Sequence, residues 1–173
     1  MNVEITEVGA NEVDVLSKVG TQAYVDHFSN IWTEAGLIKY LQVQYNPRKL
    51  GDDIKRKVAR YYIASQNNEP IGFMKIKLNS PRPSDYIEAG LEIEKIYLLR
   101  EFVGKGFGEV MMQFALALGR DTSQKFVWLD ALKSNERAVR FYERLGFTIV
   151  DEFEFATDKL KPDMFVMKYT WDN

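Results

Sequence analysis

The chain has 173 residues, the length of one ordinary domain, with 46% hydrophobic residues and a formal net charge of -2. That charge gives no basic footprint for nucleic acid. With no cysteine and a single histidine, His27, the sequence excludes disulfides, a thiolate nucleophile, a cysteine-ligated metal and a multi-histidine metal centre.

Met1-Asn2-Val3-Glu4-Ile5-Thr6-Glu7 alternates like a strand and lacks the basic and apolar regions of a signal peptide. No apolar run approaches the roughly 20 residues that span a bilayer. The expectation is a single domain over residues 1–173, cytoplasmic and without membrane partners. Val3 to Val8 reads as the first strand. Ala10 to Phe28 reads as a helix with Val13, Leu16, Gly20, Ala23, Tyr24 and His27 on one face. A second helix runs from Thr33 or Glu34 to Gln44. Asn46-Pro47 starts a third, with Asn as N-cap and Pro in the first turn.

Arg60 to Ser65 and Ile71 to Leu78 read as a hairpin joined by a longer loop through Gln66-Asn67-Asn68-Glu69-Pro70. Ser80 to Ala89, holding Pro81 and Pro83, reads as irregular loop. Leu91 to Leu99 is a central strand. It leads into Val103-Gly104-Lys105-Gly106-Phe107-Gly108 and a helix striped with Phe107, Val110, Met111, Phe114, Ala115 and Leu118. Phe126 to Ala131 is a strand. Asn135 to Leu145 is a helix with Ala138, Phe141, Tyr142 and Leu145 at helical spacing, closed by Gly146. Phe147 to Phe155 and Met164 to Trp171 are the last strands. The order β-α-α-α-β-β-β-α-β-α-β-β describes a mixed sheet covered by helices.

The glycine-spaced loop carries most information about function. A strand, a glycine turn and a helix start leave unpaired N–H groups pointing outward, and the helix dipole favours negative charge. Glycine lets a phosphate approach the backbone closely. The loop lacks the Gly-Lys-Ser/Thr ending of a P-loop. The Gly-x-Gly-x-x-Gly fingerprint and βαβ alternation of a dinucleotide fold are also absent.

Glu94-Lys95-Ile96-Tyr97-Leu98-Leu99 running into that loop resembles the central strand and Gln/Arg-x-x-Gly-x-Gly/Ala pyrophosphate loop of the GNAT superfamily of acetyl-CoA-dependent N-acetyltransferases. Trp128-Leu129-Asp130-Ala131, followed by Asn135 to Phe147, is similar to the family's Asn-x-x-Ala-x-x-Phe-Tyr-x-x-x-Gly-Phe stretch. The element order extends the resemblance over the whole chain. It implies an α/β (α+β) fold with a mixed, mostly antiparallel sheet of six to seven strands flanked by helices. It also implies acetyl-CoA or coenzyme A held by Ile96, Tyr97, Leu98, the loop Val103, Gly104, Lys105, Gly106, Phe107 and Gly108, and by Asn135 and Ala138. Val103 departs from the pattern, because the family has Gln or Arg there, so a side-chain contact near the pyrophosphate is missing. The backbone donors from Gly104 to Gly108 remain, which implies binding with some weakening. Tyr24-Val25-Asp26-His27-Phe28, Trp32-Thr33-Glu34 and Tyr40-Leu41 resemble the bacterial polyamine (spermidine/spermine) acetyltransferase-like branch.

Acetyl transfer from a thioester to an amine requires deprotonation of the amine, a fixed donor for the developing oxyanion and a proton for the departing thiolate. The resemblance puts the Leu98 backbone N–H in the second role and Tyr142 in the third. A phenol of pKa roughly 10 suits a thiolate of roughly 8.5, although Tyr142 also fits a core aromatic. Glu92 and Glu94 are base candidates. Two apart on a strand, they share a face with Ile96 and Leu98 unless a bulge intervenes. The family's base matches Glu92 best, acting through a water, and either glutamate could instead attract a cationic amine or be solvated.

Tyr24, Phe28 and Trp32 are acceptor-pocket candidates or core aromatics, and His27, also an acceptor-pocket candidate, is a packed or capped helix residue or a catalyst. Asn135 is an N-cap that in the family also positions the pantetheine arm. Lys105 contacts phosphate or is solvated. Arg137, Arg140 and Arg144 form a solvated helix edge or meet the 3′-phosphate of coenzyme A. Phe165, Tyr169 and Trp171 serve an interface or the core, and the resemblance allows a homodimer. The expected activity is direct acetyl transfer in a ternary complex to a small-molecule primary amine, polyamines first. The alternatives are a protein N-terminus or lysine as acceptor, or a non-catalytic acetyl-CoA-binding regulatory module.

Overall fold

A computed structural model describes residues 2–82 and 85–171, which follow the expected order. The elements are β1 (Glu4–Glu7), α1 (Val13–Phe28), α2 (Glu34–Gln44), α3 (Pro47–Lys55), β2 (Arg60–Gln66), β3 (Glu69–Arg82), β4 (Asp85–Leu98), α4 (Phe107–Asp121), β5 (Phe126–Leu132), α5 (Glu136–Arg144), β6 (Thr148–Glu154) and β7 (Asp163–Thr170). Short 3-10 turns at Ser29–Ile31 and Arg100–Phe102 follow α1 and β4. One seven-stranded sheet runs β1-β2-β3-β4-β5-β7-β6, and only the β4·β5 pair is parallel. Among the described residues no helix is long and apolar enough to cross a membrane.

Local chemistry explains the helix starts. The Thr33 side chain accepts from the Gly36 N–H to begin α2, and Asn46 accepts from the Arg48 and Lys49 N–H groups ahead of Pro47 in α3. Helices cover both faces of the sheet. Against α4 lie Met74, Ile76, Leu91, Ile93, Leu129 and Met167, with Met111 and Met112 from the helix. On the other face Leu16 and Ala23 of α1 and Leu50 of α3 pack on Tyr61, Ile63 and Phe73. Each such buried side chain contributes about 1.5–3 kcal/mol. Phe165, Tyr169 and Trp171 are partly buried and pack on the first of these cores.

Two sequence expectations are corrected. The β2–β3 connection is a tight turn, since Gln66 pairs with Glu69. Asn67 and Asn68 hold φ of 52° and 66°, as a type I′ turn requires to match the twist of the strands. Residues 80–82 and 85–89 are strand, the end of β3 and the start of β4. Ser80 pairs with Gly90 and Pro81 with Ala89, with register shifts on either side. Pro81 disturbs the ladder without ending it; Pro83 lies outside the described residues.

A third correction positions the site. Ile76 pairs with Ile93 and the adjacent Lys75 with Lys95, so Glu94 is an extra residue, a β-bulge. Leu91 and Ile93 face the α4 core, and after the bulge Ile96 and Leu98 face it. Glu92 and Glu94 therefore lie on the opposite face, with Lys75, Lys77 and Lys95, and do not share the face of Ile96 and Leu98. The bulge also bends β4. It pairs with β5 only at Leu91↔Val127 and Glu92↔Trp128, and beyond these the two strands diverge into a wedge at their carboxyl ends.

Candidate active site

The glycine loop closes one side of the wedge. Gly104 and Gly106 hold φ of +82° and +84°, left-handed values that disfavour a side chain. Gly106 is the N-cap of α4, so the first N–H groups of that helix open toward the loop. Gly108 needs no such freedom, since a Cβ there would lie 3.6 Å from Phe141, an ordinary contact. Phe107 is buried and packs near Phe102, anchoring the helix start.

A cleft of about 870 Å³ fills the wedge. Ile96, Tyr97 and Leu98 line it from β4, Val103, Gly104, Gly106 and Gly108 from the loop, and Asn135, Ala138 and Tyr142 from the α5 side. Asn135 caps α5 by accepting from the Ala138 N–H at 3.2 Å. Burial pushes the Tyr142 phenol up to about 12. Of the expected cofactor residues, Lys105 and Phe107 stay outside the cleft lining. The Lys105 ammonium sits 5.5 Å from the centre of the Phe102 ring.

The last turn of α1 is tied to the end of β4. His27 Nε2 lies 2.7 Å from the Leu98 carbonyl oxygen. The Arg100 N–H donates to the Asp26 carboxylate at 2.9 Å, and the Arg100 guanidinium donates to the Asp26 carbonyl. The Leu99 N–H donates to the Ile71 carbonyl of β3, so strand alternation turns the Leu98 N–H the other way, toward the wedge. His27 and Phe28 line the cleft. Tyr24 and Trp32 do not; the Trp32 Nε1–H donates to Tyr24 Oη at 3.0 Å within the aromatic cluster between α1 and α2.

Across the sheet the charges are paired. Lys75 Nζ donates to Glu94 Oε1 at 2.7 Å, and Lys95 lies 4.0 Å from the same oxygen. Lys77 reaches Oε2 at 2.5 Å, a close ionic contact. Burial alone would raise the Glu94 carboxyl, but the lysines outweigh it and hold the group at about 2. Glu92 accepts from Ser80 Oγ at 2.6 Å and lies 3.5 Å from Lys77. Neither glutamate lines the cleft.

Asp130 does line it, and sequence reasoning missed its role. On β5 it shares the face of Phe126 and Trp128 by alternation, the face that carries Glu92. Although the residue is open to the cleft, desolvation by the cleft walls, then the charges of Glu92 and Glu94, raise its carboxyl to about 7. The sequence signal was its place two residues after Trp128 and five before the helix-capping Asn135. A carboxylate poised near neutrality, an N–H facing the wedge and a protonated phenol border one space. That set can move a proton, bind a developing oxyanion and donate to a leaving group.

The model of the acetyltransferase (GNAT) family matches residues 22–147. An uncharacterized N-acetyltransferase encoded in the pepI 3′ region of Lactobacillus delbrueckii subsp. lactis is 27% identical over 166 residues, 96% of each chain. The PaiA N-acetyltransferase of Thermoplasma acidophilum, solved in complex with coenzyme A, superposes with a TM-score of 0.77 at 19% identity over 99% of this chain and 100% of that one. YncA of Salmonella typhimurium, a putative acetyltransferase solved with acetyl-CoA, gives 0.72 at 15% identity over 98% and 94%. At those identities the two structures establish the shared fold.

Proposed function

The chain belongs to the GNAT acetyltransferase family and is an acetyl-CoA-dependent N-acetyltransferase, and we propose that it acetylates a small primary amine, polyamines first, with Asp130 as the general base. The cleft fits the cofactor: it is roomy, and its glycine loop and the start of α4 offer backbone donors and a positive dipole to a diphosphate. Acetyl-CoA supplies the thioester whose acetyl carbon the amine attacks.

The residues then divide the work. Asp130 binds the incoming ammonium and removes a proton from it. The Leu98 N–H donates to the oxyanion that develops. Tyr142, held protonated, donates to the sulfur as it leaves. Glu92 and Glu94, the base candidates from sequence, act here through their negative charge, which keeps Asp130 basic. Asp26 and Phe28 in the cleft, with Asp130, favour a cationic and partly aliphatic acceptor. The position of Asp130, facing the cleft with its carboxyl near 7, carries this reading.

One observation favours a second acceptor class. Lys75, Lys77 and Lys95 pair with Glu92 and Glu94, which takes the two glutamates out of direct contact with an acceptor and leaves Asp130 to meet a single cationic centre such as a peptide α-amine or a lysine. A panel of spermidine, spermine, short peptides and lysine-containing peptides, with coenzyme A release as readout, decides. Turnover with the polyamines and not the peptides supports the first reading, and the reverse selects the second. Coenzyme A binding without turnover of any amine indicates a regulatory module.

A further inference from the structure

We propose that Arg137 supplies the side-chain contact to the cofactor's diphosphate that Val103 does not. This rests on the reading of the glycine loop as a coenzyme A site. The loop's first position carries an apolar side chain, and Lys105, its own cation, folds over Phe102 outside the cleft lining. The next helix brings a guanidinium to the same spot. A Cβ built on Gly104 would lie 2.7 Å from Arg137 Nη2. The bare face of Gly104 is therefore the floor on which that guanidinium rests, and any side chain there would displace it.

Arg137 is also free to take a ligand. Among the described residues it has no carboxylate partner and no hydrogen-bond acceptor. The neighbouring cations are engaged: Arg140 with Glu136 at 2.8 Å, and Arg100 with Asp26. Arg137 stands in the first turn of α5, whose start Asn135 fixes, so its base is rigid while its head faces the cleft. A planar guanidinium with free N–H groups matches two phosphate oxygens at once. Arg144, seven residues on, lies roughly 10 Å further along the helix and serves another part of the cleft.

Calorimetry with coenzyme A and with 3′-dephospho-coenzyme A tests this on wild type, Arg137→Ala, Val103→Arg and the double variant. Arg137→Ala is expected to weaken both ligands by the same factor, about ten- to hundredfold, as loss of a charge-assisted contact does. Val103→Arg in that background should restore most of the affinity. Unchanged affinity in Arg137→Ala overturns the proposal. So does a loss seen with coenzyme A but not with the 3′-dephospho ligand, which would move the contact to the 3′-phosphate. If wild type binds neither ligand, the coenzyme A reading itself fails, a result separate from any change among the variants. Circular dichroism confirms that the exposed substitution leaves the fold intact.

Discussion

His27 donates from Nε2 to the carbonyl oxygen of Leu98 across 2.7 Å, joining the last turn of α1 to the last residue of β4. A carbonyl only accepts, so Nε2 carries the proton. The bond fixes the peptide next to the N–H assigned to the oxyanion. His27→Ala should therefore lower kcat roughly fivefold to tenfold, the scale of one lost hydrogen bond. His27→Gln, which keeps a donor, should recover part of the rate. Equal kcat in the alanine variant and wild type would remove His27 from any positioning role.

Asp130 makes a pH prediction with a definite sign. The base works deprotonated, so kcat/KM should fall as pH drops through about 7, where the carboxyl titrates. Asp130→Asn should erase that limb and slow turnover by roughly a hundredfold or more. Stability moves the other way. A carboxyl raised from its ordinary value of 3.8 to about 7 disfavours the ionised folded state increasingly as pH climbs through that window. Asp130→Asn should thus raise Tm at pH 8 and leave it unchanged at pH 4, as thermal melts at the two pH values would show.

Tyr142→Phe should leave coenzyme A affinity near wild type and lower kcat about a hundredfold. Because burial keeps the phenol protonated up to about 12, the wild-type kcat profile should show no descending limb from this group below pH 11. Stopped assays across pH 8 to 11 check this. A descending limb near pH 9 that Tyr142→Phe removes would contradict the burial argument.

Much of this was legible in the chain. The glycine loop, the Asn46 and Asn135 caps and the Phe107, Met111 and Ala115 positions of the α4 stripe depend on local spacing, and each appears where spacing put it. The misreadings are non-local. Counting two residues from Glu92 to Glu94 to Ile96 assumes a regular pleat, and only the partner strand reveals the bulge that reverses the face. The role of Asp130 depends on the wedge between β4 and β5, a relationship between strands with no signature in either. Asn67-Asn68 was readable as a type I′ turn, because asparagine tolerates left-handed φ, but the five residues Gln66 to Pro70 read together as a longer loop.

Glu94 separates a structural from a catalytic role. Its carboxyl is held at about 2 against an ordinary value of 4.5, so it favours the folded state above pH 4.5 and loses that contribution as pH falls toward 2. At neutral pH the shift is worth about 3 kcal/mol at most. Glu94→Gln removes the counter-charge and leaves the mostly buried Lys75 and Lys95 uncompensated. Urea unfolding at pH 7 should show a loss of about 2–3 kcal/mol that shrinks at pH 3, where the wild-type advantage is itself fading. The same substitution withdraws one of the two negative charges that raise Asp130, so the acid limb of kcat/KM should move to lower pH. A limb that vanishes, with stability unchanged, would make Glu94 the base and Asp130 a bystander.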